Sequence, residues 1–202
     1  MQLNGITGLL LALSLVGPRS GASTGLSRSD IIARVPTFTR FYGDIRKFLN
    51  TSEPVWTYNT TKPCNVYCAV DVKYNISDTD ILFNRSYYYK NETVTYWVDG
   101  SFFDPIHGQF NTILIGGPAT LKQGWEMVLY LNNNFTCAVF NISILMPIEI
   151  TWYDMRILNS SIESGADKKC IDMYEHYINK SRLSRRIYRP ECQRILQQKP
   201  TS

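Results

Sequence analysis

After Pro54 the chain consists mainly of short runs in which apolar and polar residues alternate. The runs are rich in β-branched and aromatic residues, and turn-forming clusters such as Asp104-Pro105 and Gly116-Gly117-Pro118 end them. The pattern predicts eight strands, over residues 55–59, 65–74, 81–89, 93–103, 111–115, 125–131, 135–144 and 148–158. Hairpin-sized gaps between strands favour an up-and-down barrel over a sandwich.

A helical pattern follows the last strand, in residues 168–178. Its apolar positions share one face of a helix, and they are Cys170, Ile171, Tyr174, Tyr177 and Ile178. Residues 29–49 also mix apolar and basic positions at roughly helical spacing, but Pro36 and Gly43 interrupt them, which predicts one or two short helices. The fold class is therefore all-β, with a C-terminal helix packed on the outside of the barrel. Residues 23–52 form an N-terminal arm, and residues 53–202 the barrel, its helix and a basic tail.

The N-terminus has the pattern of a signal peptide over residues 1–22. The apolar run from Gly5 to Val16 is too short to cross a bilayer, and Ser20 and Ala22 supply the small residues that a signal peptidase needs. We find no later run long or apolar enough to be a membrane span. The sequence thus predicts a secreted, extracellular monomer.

Sequons and cysteines agree with secretion. The nine N-x-S/T sequons begin at Asn50, Asn59, Asn75, Asn84, Asn91, Asn134, Asn141, Asn159 and Asn179. The five cysteines, Cys64, Cys68, Cys137, Cys170 and Cys192, suit two bridges and one thiol in an oxidising compartment. A zinc site at Cys64 and Cys68 lacks further ligands, because His107 and His176 are isolated. No metal or cofactor is predicted.

The sequons also indicate which side chains face outward, because a glycan does not fit inside a barrel. Asn141 outward places Cys137 outward with it, where a surface helix carrying Cys170 reaches it. Asn84 outward turns its strand neighbours inward, unless a bulge changes the register. The predicted inward set is Phe83, Arg85 and Tyr87 on the third strand, Ala138, Phe140 and Ile142 on the seventh, and Ile148, Ile150 and Trp152 on the eighth.

Charge and motifs exclude several functions. The net charge is only +4, and basic residues concentrate between Lys180 and Arg194. This segment is either a solvated tail or a site for an acidic glycan or anionic surface. Nucleic acid is not an expected partner of a secreted chain with many sequons. The sequence has no G-x-S-x-G, H-E-x-x-H or P-loop motif, so we do not expect an enzyme.

Several residues together resemble one known family. They are E-P-V-W at 53–56, Cys68-Ala69-Val70-Asp71, Cys137 heading the seventh strand, Trp152-Tyr153, K-K-C-x-x-x-Y-x-x-Y at 168–177 and R-P-E-C at 189–192. In this order and spacing the chain resembles the tick salivary lipocalins, which include the histamine-binding proteins. The resemblance implies a lipocalin barrel with bridges Cys137–Cys170 and Cys68–Cys192. Cys64 is then the odd thiol, or it takes the place of Cys68.

The resemblance weakens where amine-binding members carry acids. Those members follow the seventh-strand cysteine with Asp and place Glu-Leu before the aromatic residue of the eighth strand, whereas this chain has Ala138 and Ile150-Thr151. A buried ammonium without a carboxylate costs several kcal/mol, which disfavours an amine. Glu53 stands where the family uses an acid to hold a second amine. A single amine site therefore stays open.

An acidic lipid is the alternative cargo. Apolar walls suit an acyl chain, and Arg85 or Arg156 supplies a cation for its carboxylate. The predicted ligand contacts are Glu53, Trp56, Phe83, Arg85, Tyr87, Phe140, Ile150 and Trp152. The expected function is sequestration of a small host inflammatory mediator to evade host defence. An eicosanoid or fatty acid is favoured over histamine or serotonin, and the alternative is a lipocalin that blocks a host protein through its loops.

Overall fold

A computed structural model gives the structure of the chain and describes residues 26–36, 43–104, 110–145, 148–179 and 183–197. The signal peptide predicted for residues 1–22 lies outside these ranges. The described part contains eight long strands: β1 Val55–Thr60, β2 Val66–Ile76, β3 Asp80–Tyr89, β4 Glu92–Phe103, β5 Thr112–Gly116, β6 Gly124–Leu131, β7 Cys137–Ile144 and β8 Ile150–Leu158. No strand end differs by more than two residues from its predicted position.

The sheet closes into a barrel because β1 pairs with both of its neighbours. Consecutive strands from β2 to β8 are antiparallel partners, and β8 pairs with β1 from Val55 opposite Leu158 to Thr60 opposite Asp154. On its other side β1 pairs with β2 at Val55 and Trp56. Closure leaves no long open edge for another chain to extend. The predicted eight-stranded up-and-down barrel is confirmed.

The barrel has one irregular seam, between β1 and β2. Beyond Trp56 the two strands part, and the short strand β9 (Arg185–Arg186) pairs with Asn59 and Thr60 instead. Ile187 continues the join, since its N–H donates to the Tyr58 carbonyl and its carbonyl accepts from the Cys68 N–H. The C-terminal segment thus fills a gap in the wall. A strand of two residues is too short to show alternation, so the sequence did not predict it.

Helix α3 (Lys168–Ile178) packs on the outside of the barrel, as predicted. Asp167 caps its first turn by accepting a hydrogen bond from the Cys170 N–H, and the helix ends at Asn179 in the left-handed conformation that asparagine tolerates. Tyr174 and Ile178 are buried against the wall. The Cys137–Cys170 disulfide fixes the N-terminal end of α3 to β7. No helix in the described ranges is long and apolar enough to span a membrane.

An apolar layer lies between α3 and the wall, which we call the outer-wall core. All four cysteines of the two disulfides lie in it. The Cys68–Cys192 bridge attaches the C-terminal 3₁₀ segment Pro190–Gln197 to β2. The buried members of the outer-wall core are Trp56, Cys68, Val70, Tyr130, Cys137, Val139, Met155, Ile157, Ile162, Cys170, Tyr174, Ile178, Tyr188, Cys192 and Ile195.

Two short helices form in the N-terminal arm. In α1 (Arg28–Ile32), Ile31 is buried on the outside of β5 and β6 with Leu114 and Met127. In α2 (Ile45–Leu49), Ile45, Phe48 and Leu49 are buried inside the barrel among the apolar side chains of the lumen. Burying a side chain such as Phe48 contributes about 2–3 kcal/mol. Helix α2 therefore closes one end of the barrel and leaves the opposite end as its mouth.

Candidate functional site

Five charged side chains from four strands meet inside the lumen, and we call them the charged layer. They are Asp71 on β2, Arg85 on β3, Glu126 on β6, and Asp154 and Arg156 on β8. Arg85 binds Asp71 through two hydrogen bonds of 2.7 Å and approaches Glu126 to 2.8 Å. Arg156 donates to Glu126 at 2.6 Å and to Asp154 at 3.3 Å. Each carboxylate of the layer therefore already has an arginine partner.

In the charged layer the pKa values of two acids, Glu126 and Asp154, are shifted in opposite directions. Burial opposes the ionisation of Glu126, but the charges of Arg156 and Arg85 overcome it and lower the pKa of Glu126 to about 2. Burial raises the pKa of Asp154, and the charge of Arg156 and a 2.6 Å hydrogen bond from Thr60 offset only part of this effect. As the pH falls, we expect Asp154 to take up a proton before Glu126.

A cavity of about 320 Å³ lies between the charged layer and the mouth of the barrel. This volume is at the lower end of the range of roughly 300–1,000 Å³ that is typical of small-molecule sites. At the mouth, the β1–β2, β5–β6 and β7–β8 loops connect the strands of the wall. Its walls include the apolar residues Val98, Ile115, Ile144 and Trp152 and the polar residues Lys62, Arg85, Tyr96 and Gln123.

Lys62 is the contact that the sequence did not suggest. It follows β1 in the loop at the mouth, and its ammonium lies 4.8 Å from the ring centroid of Trp152 and 5.8 Å from that of Tyr87. Among the described residues, no carboxylate forms a salt bridge with Lys62. In the sequence it is a loop lysine two residues after the end of β1, and only the closed barrel places it at the mouth.

Aromatic hydroxyls complete the polar part of the cavity. Burial raises the pKa of Tyr96, whereas the nearby Arg85 opposes this shift. The rings of Tyr87 and Tyr96 meet edge to face with their centroids 6.1 Å apart. The indole N–H of Trp152 is buried and has no hydrogen-bond partner among the described residues. Tyr96 thus adds a polar group to the wall of the cavity, whereas the buried N–H of Trp152 is not exposed to it.

Five of the predicted ligand contacts face the lumen. Trp152 and Arg85 line the cavity, and Tyr87 lines a smaller recess of about 30 Å³ beside it, which is about the size of one water molecule. Phe83 and Phe140 belong to the apolar lumen cluster, and Phe140 contacts Phe48 of α2 at a centroid distance of 5.8 Å. They form the solid closed end and do not line the cavity.

Three predicted contacts lie elsewhere. Trp56 belongs to the outer-wall core, where its indole N–H donates to Asn159 Oδ1 at 2.8 Å, so its predicted place in the lumen is wrong. Ile150 is at the rim and is 41 % exposed, because it is the first residue of β8. Glu53 accepts a hydrogen bond from the Ser160 N–H at 2.6 Å and thereby caps the 3₁₀ turn that follows β8.

The acids of the lumen differ from those anticipated. Ala138 faces inward and provides no carboxylate, as the sequence indicates. However, Asp71, Glu126 and Asp154 bring three others into the lumen, and all three are buried. Glu126 shares its face of β6 with Gly124 and Val128, so the signal that could have found it is a single acid on one face of a predicted strand. The two arginines proposed for a ligand headgroup are therefore already paired.

The sequons and cysteines are distributed over the outside. Asn50, Asn75, Asn91, Asn134 and Asn179 are exposed, and Asn59, Asn84 and Asn159 are half-buried. Asn141 faces outward but is only 5 % exposed, so the folded barrel disfavours the glycan predicted there. The two disulfides join the pairs that the resemblance implied, and Cys64 is the free cysteine.

No protein-family model matches this sequence, and no curated protein shows significant sequence similarity to it. Its fold does match solved structures. One is the serotonin complex of AM182, which is 15 % identical with a TM-score of 0.57 and covers 78 % of this chain and 97 % of that chain. Another is the siderocalin Ex-FABP, described as having dual ligand specificities, which is 4 % identical with a TM-score of 0.49 over 64 % of this chain and 85 % of that chain. The chain has the lipocalin fold.

Proposed function

We propose that this protein is secreted and captures one small acidic lipid mediator, of the eicosanoid or fatty-acid type, in the cavity at the mouth of the barrel. The observation that carries the proposal is Lys62, a cation without a carboxylate partner among the described residues, at a cavity whose other walls are largely apolar. The resemblance to tick salivary lipocalins suggests the setting, which is removal of a host inflammatory mediator. Such capture needs affinity and abundance, and no chemical step.

The charges of the site favour an anion. An incoming carboxylate meets Lys62, and Arg85 lies in the wall behind it. An incoming ammonium meets the same two cations, whereas the carboxylates Asp71 and Glu126 are already bound to arginines. Like charges repel, and breaking a buried ion pair to free one acid costs several kcal/mol. The acid therefore has the lower electrostatic cost of entry.

The apolar walls account for the rest of the ligand. If a ligand buries about 250 Å² of apolar surface against residues such as Trp152 and Ile115, the gain is about 6 kcal/mol. The loss of translational and rotational freedom offsets much of that gain. Apolar contact alone is therefore too weak for efficient capture, and the ion pair with Lys62 is needed. The charged layer closes the inner end of the cavity and limits its depth. Folded or compact acids therefore fit better than extended chains.

The test compares an acid with its neutral counterpart. We expect arachidonic acid to bind the purified protein with quenching of tryptophan fluorescence, and about tenfold or more tighter than its methyl ester, because a charge-assisted hydrogen bond contributes about 1.5–3 kcal/mol. Lys62→Met keeps the apolar stem and should remove this difference. Lys168→Met is the matched control, because Lys168 has an 86 % exposed side chain on α3. Equal affinity for acid and ester would contradict the proposal.

A biogenic amine is the second candidate. It is favoured by the three carboxylates beneath the cavity and by the serotonin complex of a protein with the same fold. Calorimetry with serotonin and histamine distinguishes the two candidates. Tighter binding of an amine than of arachidonic acid, undiminished by Lys62→Met, would establish the amine. If no ligand of either class binds, obstruction of a host protein through the mouth loops becomes the preferred function.

A further inference from the structure

The outer face of β2, β3 and β4 carries an apolar strip that no described element covers. Tyr74, Trp97 and Val72 are 72, 43 and 37 % exposed, and the rings of Tyr74 and Trp97 meet edge to face at 5.4 Å. Within the described residues, α3 lies against β6, β7 and β8, and α1 packs outside β5 and β6. Neither covers this strip. Contiguous exposed aromatic side chains on a secreted domain indicate that something rests on them.

A sequon lies in the middle of the strip. Asn84 begins the sequon Asn84-Arg85-Ser86 and pairs across the sheet with Val72 on one side and Trp97 on the other. Directly opposite residues have their Cβ atoms about 4.5–5.5 Å apart. Arg85 points into the lumen, so Asn84 points outward with the strip. Its Oδ1 accepts a hydrogen bond from Ser86 Oγ at 3.3 Å, and its Nδ2 makes no hydrogen bond with a described residue.

We propose that an N-linked glycan on Asn84 covers this strip, with its first N-acetylglucosamine packed on Trp97 and Tyr74. The C–H face of a sugar ring is apolar and packs on an aromatic ring as other apolar groups do. Attachment replaces one Nδ2–H bond with a bond to C1 of the sugar. A lipid-diphosphate oligosaccharide is the donor, its diphosphate leaves with the bonding electrons of C1, and the amide proton passes to the transferring enzyme.

Asn84 differs in this respect from the other sequons. Asn134 is exposed in the β6–β7 turn, at the closed end of the barrel, and so a glycan there extends into solvent away from the strip. Asn141 is only 5 % exposed, so its amide is far less accessible than that of Asn84. The inference rests on the proposed secretion and not on the identity of the ligand, although Trp97 also borders the cavity.

The test uses protein secreted from eukaryotic cells with a foreign signal peptide in place of residues 1–22. Secretion of the sample then does not depend on the predicted signal peptide. One sample is trimmed to a single sugar by an endoglycosidase, and another is stripped of the whole glycan. We expect the trimmed protein to keep the acrylamide quenching of the intact protein. The stripped protein should show stronger quenching, and a melting temperature lower by about 2–4 °C. Trp97→Phe should abolish the difference in quenching.

Two variants control this experiment. Asn84→Gln, which adds no charge, should behave like the stripped protein, and Asn134→Gln should behave like the intact protein. An unoccupied Asn84 beside an occupied Asn134 in glycopeptide mass spectrometry would overturn the proposal, and so would quenching that is independent of the glycan. A dimer of the glycosylated protein that Trp97→Ala dissociates would show that a second copy covers the strip instead.

Discussion

The two faces of the barrel wall differ in composition. The outer-wall core is apolar, contains both disulfides and is covered by α3 and the C-terminal segment. The lumen contains the charged layer and, on the mouth side, a cavity of about 320 Å³. Its closed end, around Phe48 and Phe140, is filled with apolar side chains.

This difference separates stability from binding. A barrel whose only core is its interior loses packing when it opens a cavity, because each void forfeits contacts. Here the second core outside the wall, with its two disulfides, contributes stability that does not depend on filling the lumen. The interior can therefore hold buried charges, which rarely add net stability, and an empty space for a ligand. Changes on the two faces should consequently have different effects.

The largest effect should come from the outer face. Cys137→Ser opens the Cys137–Cys170 bridge, whose partners are 33 residues apart, and should lower the free energy of unfolding by about 3–4 kcal/mol through loop-closure entropy. Two thiols, Cys64 and Cys170, should then react with a thiol reagent in unfolded protein, in place of Cys64 alone. Ligand affinity at a temperature where the variant is folded should not change. An unchanged thiol count would remove the bridge.

The next effect concerns the charged layer and depends on pH. The pKa of Glu126 is lowered from 4.5 to about 2, so its stabilising contribution is full above pH 4.5 and is lost as the pH falls towards 2, by about 3 kcal/mol at most. Glu126→Gln should be less stable than the native protein at neutral pH, with a flatter acid profile. Urea unfolding at several pH values measures this.

Asp154 provides the matched comparison, because its pKa is raised and not lowered. Its folded form binds a proton more readily than its unfolded form, so acid favours folding through this residue. Asp154→Asn should therefore leave the acid-induced loss of stability in place, or make it steeper. The same flattening in both variants would contradict the assignment of opposite shifts to the two acids.

The smallest effect on stability should come from the tryptophans, which report on each face. Trp152→Phe, at the cavity, should remove most of the fluorescence quenching caused by a bound ligand. Trp56→Phe, in the outer-wall core, should leave that quenching intact while losing the hydrogen bond to Asn159. A fluorescence titration of both variants distinguishes the faces. Quenching that depends on Trp56 would place the ligand outside the barrel.

The alternation of a strand is predictable only where the strand is regular. Asn141 correctly indicated that Phe140 and Ile142 face inward, because β7 keeps its alternation and pairs with β8 without a shift. In β1 the register shifts between Thr57 and Asn59. The bulge lets Asn59 and Trp56 face the same side, although strict alternation places them on opposite sides. A sequon at Asn59 therefore gives no information about Trp56.

The site was harder to predict than the fold. Arg85 and Tyr87 were predicted to face inward from the Asn84 sequon and strand alternation, and Trp152 from the apolar face of the eighth strand, and all three face the lumen. The partners of Arg85 were not, because Asp71 and Glu126 lie on other strands, and Glu126 is 41 residues away in the sequence. Lys62 is in a loop, where no alternation applies. Its place at the mouth follows from where β1 ends in the closed barrel.

The sequence by itself determined the local properties of this protein. Its alternating runs specify strands, its turn clusters separate them, and its helical spacing around Cys170 specifies α3, since each depends on neighbours within a few residues. Only the tertiary structure decided which charges neutralise one another and where space is left. Closing the barrel brings Asp71, Glu126 and Arg156 together from distant strands, and the entry of α2 from one end leaves the cavity at the other.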